Sequence, residues 1–371
     1  MNKNIQYKKL TDICEIITGE WGTEITENSQ NIVSVIRTTN FLNNGKIDIQ
    51  NKELIKREID KKKIEQKQLK RGDIIIEKSG GSPNQPVGRV VFFDLNINEV
   101  FLCNNFTSIL RVKEDINSKY IFYFLRNNYK KNKVVKYQNK TTGIINLKLQ
   151  NYLNESCIFL PELKIQNKIV NILDNLENII EKNQNYLTHL GVLTKSLFIK
   201  YSIGEKESIA NLCNVKARIG WQGLTKKEYL SNGEYYLITG VDFKKEKIDF
   251  KNCFFVTKER YNQDENIKVK INDILLTKDG TIGKVAIIDK LEKPATLNSG
   301  VFVLRPKVNN LNVTYLMHAL ISDDFKKFID DIKIGATVPH LNQAALLKYK
   351  LVLPPIELQN KFAERIENIE K

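Results

Sequence analysis

Short apolar runs alternate with polar stretches through most of the chain, and the same runs occur twice. Leu69 to Gly81 (LKRGDIIIEKSGG) matches Val269 to Thr281 (VKINDILLTKDGT), so that Asp73 aligns with Asp273. Gly88 to Asp94 (GRVVFFD) then matches Gly283 to Asp289 (GKVAIID), and Asn104 to Arg111 (NNFTSILR) matches Asn298 to Arg305 (NSGVFVLR). Leu160 to Glu177 finally matches Leu353 to Glu370. The offset drifts from 200 residues at the first pair to 193 at the last, with about five extra residues in the first copy of the Gly-containing loop. Four blocks in one order mark two copies of a single unit, each a globular part followed by a helix.

Within a copy, DIIIEK and DILLTK are apolar runs opened by Asp, followed by a Gly-containing turn and a second run, VVFF or VAII. This predicts hairpin-like sheet. Ser118 to Lys131 and Val313 to Ile329 show helical periodicity, with Ser118 and Asn312 as candidate N-caps. Leu147 and Leu341 are expected to open a closing strand. The class is mixed α/β (α+β).

After Pro161, a residue type suited to a first helical turn, the period changes. Ile165, Ile169, Ile172, Leu176, Ile179, Asn183, Tyr186, Leu190, Leu193 and Leu197 step by four and three alternately. This is an a/d seam over more than four heptads, the signature of a coiled coil. Asn183, its one polar member, is either a register-fixing residue or a tolerated exposed one. A helix over 161–200 would be about 60 Å long at 1.5 Å per residue and needs a partner helix. The matching C-terminal stripe, Leu358, Phe362, Ile366 and Ile369, is expected to supply one, but only about 16 residues follow Pro355. Most of the central seam is therefore expected to receive a helix from another chain. The expected domains are 1–160, a helical spacer at 161–200, 201–354, and a short helix at 355–371.

At 371 residues the chain exceeds the roughly 250–300 that one core sustains. Lys+Arg is 58 against 43 for Asp+Glu, a net charge of +15, which favours a polyanionic partner. No stretch approaches the ~20 apolar residues of a membrane span, and no apolar run follows the N-terminal lysines as in a signal peptide. The five cysteines include no CxxC pair, which points to a reducing, cytoplasmic setting. The three histidines are scattered and suggest no metal site.

Catalytic signatures are missing. DGTIGK lacks the glycine spacing and the hydroxyl residue of a P-loop. LPPIE is not the Asn/Asp-Pro-Pro-aromatic signature of amino-methyltransferases. Asp73, Glu77 and Lys78 suggest a nuclease cluster, but Thr277 replaces Glu77 in the second copy. No catalytic residue is assigned.

Recognition is assigned to loops on the repeated frame. The first set flanks the Gly-containing loop: Lys78, Ser79 and Arg89 in copy one, Lys278, Thr281 and Lys284 in copy two, with the cations placed against phosphate. The second is Arg37, Thr38 and Asn40, matched by Thr239, since Arg pairs with guanine and Asn with adenine in the major groove. The third is Gln138, Thr141 and Thr142 against Thr337 and His340. Trp21 and Trp221 fall in register, and as large apolar residues they are expected in the core.

This layout resembles the specificity subunits of type I restriction–modification systems. The features that carry the resemblance are the tandem α/β heads, each closing in a Leu-rich segment before Pro161 or Pro354, and the Gln166-Asn167-Lys168-Ile169 and Gln359-Asn360-Lys361-Phe362 helix starts. The resemblance implies two target-recognition domains, each reading one half of a split site in double-stranded DNA, with the helix setting the gap. It implies two methyltransferase subunits docked along the helices, with S-adenosylmethionine bound there and no cofactor on this chain, and motor-nuclease subunits joining for cleavage. One departure is the short C-terminal helix, which a truncated or recombined form would explain. The alternatives are a stand-alone DNA-binding regulator and a duplicated coiled-coil scaffold.

Overall fold

In the computed structural model, the described residues are all except 1–6, 83–84, 97–98, 142–143, 221–222, 334–339 and 371. The chain divides into two compact units, Met1–Glu181 and Lys182–Lys371.

The first unit is centred on a four-stranded antiparallel sheet. Its order is Cys14–Thr18, Thr107–Val112, Ile74–Glu77 and Val90–Phe92. Both of its faces are covered, which is why DIIIEK reads as a continuous apolar run rather than an alternating one. Ile74, Ile76 and Leu110 pack with Ile121, Phe122 and Leu125 of the helix Ser118–Lys130. Ile75, Val91 and Ile109 pack on the other side with Phe93 and Phe101. A second sheet, Ile55–Glu58, Ile32–Ile36 and Phe101–Cys103, contains one parallel pair. Trp21, expected in the core, is half-buried: it packs against the apolar residues of this sheet with the Arg57 guanidinium 4.4 Å over its ring.

The second unit repeats this plan. Its four strands are Cys213–Ala217, Val301–Pro306, Ile274–Thr277 and Val285–Ile287. The smaller sheet is Phe254–Val256, Tyr235–Ile238 and Ala295–Leu297, with the same parallel pair. The predicted hairpins are thus the pairs Ile74–Glu77 with Val90–Phe92 and Ile274–Thr277 with Val285–Ile287.

The repeated Asp and Arg of the sequence blocks meet in both units. Arg111 donates to both oxygens of Asp73 (3.0 and 2.7 Å) and to the Gln68 carbonyl. Arg305 does the same to Asp273 (2.7 and 2.6 Å) and to the Lys268 carbonyl. Each carboxylate also accepts from a main-chain N–H three residues back. Asp73 is therefore a buried structural anchor and not part of a nuclease cluster.

Several boundaries differ from expectation. Asn117, not Ser118, caps the first helix, accepting from the N–H groups of Lys119 and Tyr120, while Asn312 caps the second as expected. That second helix breaks at Ser322 into Val313–Ile321 and Asp323–Lys333. The Ser322 hydroxyl accepts from Phe325 N, and two aspartates open the next turn, an arrangement that starts a new helix rather than continuing an old one. Leu147 ends a strand instead of opening one, and Leu341 belongs to no strand. Short helices, Leu149–Glu155 and Gln343–Lys348, precede the closing strands Cys157–Phe159 and Lys350–Leu353.

The predicted rod is a single helix, Leu163–Tyr201, of 39 residues. It begins two residues after Pro161. The C-terminal helix is Ile356–Glu370.

Candidate nucleic-acid interface

The turn that carries Arg37 is built by its last residue. Asn40 is fully buried; its Oδ1 accepts from Arg37 N, and its Nδ2 donates to the carbonyls of Asp48, Lys52 and Glu53. This amide is used up inside the fold, which corrects its assignment as an adenine reader. In the second unit Asp242 has the same duty: it accepts from the N–H of Thr239 (2.7 Å) and from the Thr239 hydroxyl (2.9 Å). Burial holds the Asp242 carboxyl above its ordinary range. Thr239 is itself buried, with its hydroxyl occupied, so the sequence assignment of Thr239 as an exposed reader is also corrected.

Arg89 is likewise not a free cation. Its guanidinium donates to both Glu77 oxygens (3.1 Å each) and to the Thr38 carbonyl (3.2 Å). Glu77 is buried beneath it. The pair ties the loop 78–89 to the turn Thr38–Asn40. The second unit replaces it with neutral chemistry: the Thr277 hydroxyl accepts from Lys284 N (3.0 Å) and donates to the Thr281 carbonyl. The Lys284 ammonium has no hydrogen-bond or carboxylate partner among the described residues.

Lys78 and Lys278 hold matched, half-buried positions. The main-chain carbonyl of each accepts from a Leu N–H, Leu147 at 2.8 Å and Leu341 at 3.0 Å. Burial keeps the Lys78 ammonium below its usual pKa range, and the Lys278 ammonium lies 5.2 Å over the Phe302 ring. Ser79 is bonded to Asn146, and Gln138 donates to the Val87 carbonyl at 2.9 Å. Gln138 and Thr141 begin and end one strand, which pairs with Ile144–Leu147. His340 pairs with Asp279, both exposed. Thr142 and Thr337 lie outside the described residues, as does Trp221.

The helix surface sorts into exposed and docked residues. On the predicted seam, Ile165, Ile172, Leu176, Ile179, Asn183, Tyr186, Leu190 and Leu193 are exposed, Ile172 by 61% and Tyr186 by 65%. Ile169 is half-buried, and Leu197 packs on the second unit's core, so Leu197 does not belong to the open face. Within each unit, other residues of the helix dock on the head. In the first, Asp174 accepts from Lys119 and the Tyr123 hydroxyl, and Glu177 pairs with Arg126. In the second, the rings of Phe198 and Tyr201 meet Phe362. The C-terminal helix buries Phe362 and Ile366 in the core, so it meets the last turns of the long helix and does not run along its seam.

The repeated Gln-Asn pair, read from sequence only as a family mark, latches each helix to its unit. Gln166 accepts from Asn117 N (3.0 Å) and donates to the Pro161 carbonyl, while Asn117 donates to Asn167. Gln359 accepts from Asn312 N (2.9 Å) and donates to the carbonyls of Asn310 and Pro354, while Asn312 donates to Asn360. Both glutamines are buried.

The geometry therefore defines two copies of a head whose frame is repeated and whose turn residues differ. The family model for the type I restriction modification DNA specificity domain matches residues 2–189 and 205–371. The chain belongs to that family and carries its domain twice.

Among curated proteins it is 28% identical over 273 residues to the type I restriction enzyme MjaVIII specificity subunit of Methanocaldococcus jannaschii. That match covers 68% of this chain and 63% of the relative, so the chain spans less than two thirds of it. The putative type I restriction enzyme MjaX specificity subunit of the same organism is 25% identical over 98% of this chain and 86% of its own length. Among solved structures, the S subunit of a type I restriction-modification system from M. genitalium shares the fold, with a TM-score of 0.59 at 17% identity, over 100% of this chain and 91% of that one.

No group of three or more His, Cys, Asp or Glu side chains able to hold a metal occurs among the described residues. No described helix is long and apolar enough to cross a membrane.

Proposed function

We propose that this chain is the non-catalytic DNA-recognition subunit of a type I restriction–modification complex, each unit reading one half of a split target in double-stranded DNA. The observation that carries this reading is the contrast between a duplicated frame, with the anchors Asp73–Arg111 and Asp273–Arg305 repeated, and unlike turn residues: Asn40 builds a turn that carries Arg37 in one unit, and Asp242 builds one that carries Thr239 in the other. Conserving the frame while varying the presented side chains suits two readers of different sequences. The +15 charge supplies the non-specific attraction to phosphate.

The exposed apolar face of the long helix is the proposed seat of two methyltransferase subunits, which would carry S-adenosylmethionine, with motor-nuclease subunits joining for restriction. The chain itself would bind no cofactor and would work in the cytoplasm. A stand-alone regulator has no use for that face, since exposed apolar patches of this extent are generally association surfaces. Affinity isolation of the chain from its native cells tests the reading. Recovery of an adenine methyltransferase in stoichiometric amount is expected; recovery of the chain alone, binding an operator by itself, would favour the regulator.

A further inference from the structure

We infer that Arg37 is the specificity-determining residue of the first unit, a guanine reader held in place by Arg89 and Glu77. The inference rests on the DNA-reading role proposed above and assigns one side chain within it.

Main chain and side chain differ sharply inside one turn. The main chain of 37–40 is pinned at three points: Arg37 N donates to Asn40 Oδ1, Asn40 N donates to the Arg37 carbonyl at 2.9 Å, and the Thr38 carbonyl accepts from Arg89. Arg89 is in turn clamped on both oxygens of buried Glu77. The Arg37 side chain, by contrast, has no hydrogen-bond or carboxylate partner among the described residues. Its Nε is buried without a hydrogen bond, and the rest of the guanidinium meets no carboxylate or carbonyl among the described residues. The two terminal nitrogens are neither buried nor paired among the described residues, so they are open to acceptors that arrive from outside.

A guanidinium is a planar fork that pairs with guanine O6 and N7 through two parallel hydrogen bonds. A rigid main chain under a free fork restricts where those donors can be, which is the condition for telling one base from another. The second unit makes the inference sharper. There the same turn carries Thr239, whose hydroxyl is occupied by Asp242, and neither Glu77 nor Arg89 has a like counterpart, since Thr277 and Lys284 stand in those places. The matched position of the second unit presents no free donor, so it reads its half of the site by other groups. Arg89 and Glu77 are positioning residues, acting through the turn and not on the base.

The test is selection from a randomised duplex library with the full chain, in the complex recovered from its native cells. The comparison is between wild type, R37A, R37K and E77Q. Wild type is expected to enrich a two-part motif with a fixed G in one half. R37A should lose that G alone and weaken binding to the selected duplex by roughly ten- to a hundredfold, while its affinity for an unselected duplex changes little. R37K, with charge but no fork, should not restore the G. E77Q, isosteric but unable to hold Arg89 as an ion pair, should blur the same half and leave the other intact. An unchanged motif with R37A overturns the inference and leaves the DNA-reading role standing. A wild-type complex that enriches no sequence overturns that role and the inference with it.

Discussion

The side-chain oxygen of Gln359 accepts a hydrogen bond from the main-chain N–H of Asn312 at 2.9 Å, and Gln166 holds Asn117 in the same way at 3.0 Å. One buried amide per unit thus joins the start of the helix that follows the head to the capping residue of a head helix. Gln359 spends its N–H groups on the carbonyls of Asn310 and Pro354 as well. Replacing it by leucine preserves bulk but strands a donor and two acceptors. With each buried unmatched group costing about 1–3 kcal/mol, Q359L should lower stability by about 3 kcal/mol or more. Denaturant unfolding of the variant checks this, and Q166L should show the same sign.

The Asp–Arg anchors give a second expectation. Asp273 is buried while Arg305 is half-buried, so removing the carboxylate strands the Lys270 N–H and loosens the guanidinium, at a cost of about 1–3 kcal/mol. D273A should therefore be clearly destabilised, whereas substitution of the exposed Lys290–Glu292 pair should change stability by less than about 1 kcal/mol. Thermal unfolding of the two variants separates the cases.

Acid should weaken the second unit through His318. Its ring is buried edge-on against Phe362, its Nε2 has no partner among the described residues, and burial lowers its pKa from an ordinary 6.5 to about 4. The unfolded chain then binds the proton first as pH falls. The stability that the neutral ring contributes is complete above about pH 6.5 and is lost progressively down to about pH 4, amounting to about 3 kcal/mol over that window. H318F, neutral at every pH, should flatten this part of the stability–pH curve. The first unit has Tyr123 at the matched position, and that hydroxyl has a partner in Asp174.

The two turn-building residues should not be interchangeable. Asn40 both accepts and donates, so N40D loses the two N–H groups shared among three carbonyls and should destabilise the first unit by about 2–4 kcal/mol. Asp242 accepts from Thr239 and carries a carboxyl whose ionisation burial opposes. D242N keeps an acceptor for the Thr239 N–H and should be tolerated, with a stability change within about 1 kcal/mol. Chemical denaturation of both variants is the check.

The open helix face predicts a split between stability and assembly. Ile179 is 53% exposed, so I179K should alter the thermal midpoint little, surface changes usually lying within about 0.5 kcal/mol. It should still abolish co-isolation of the proposed partner subunits, as read by size-exclusion chromatography of the native complex.

The duplication, the paired strands and the long helix were legible because each leaves a periodic trace: repeated blocks, apolar runs bounded by glycine, and a four-three heptad step. The helix surface was only half legible. Heptad spacing finds the apolar seam, but docking on the first head uses Asp174, Glu177 and Gln166, whose polar character hides their role until their partners are seen. The same limit governed the candidate readers. Residue type suggested that Arg37, Asn40 and Arg89 are equivalent in kind. Tertiary pairing removes Asn40 and Arg89 by satisfying them internally and leaves Arg37 unmatched. The break at Ser322 was missed because apolar periodicity continues across it, while the serine cap and the aspartates after it decide the boundary.

The central claim is that this chain chooses which DNA sites are methylated. Adenine-methylation sequencing of the native strain, with the gene intact and deleted, tests it most directly. Deletion should erase one two-part motif with a fixed internal gap while every other methylated motif persists. A methylation pattern identical with and without the gene, in cells shown to produce the protein, would contradict the claim.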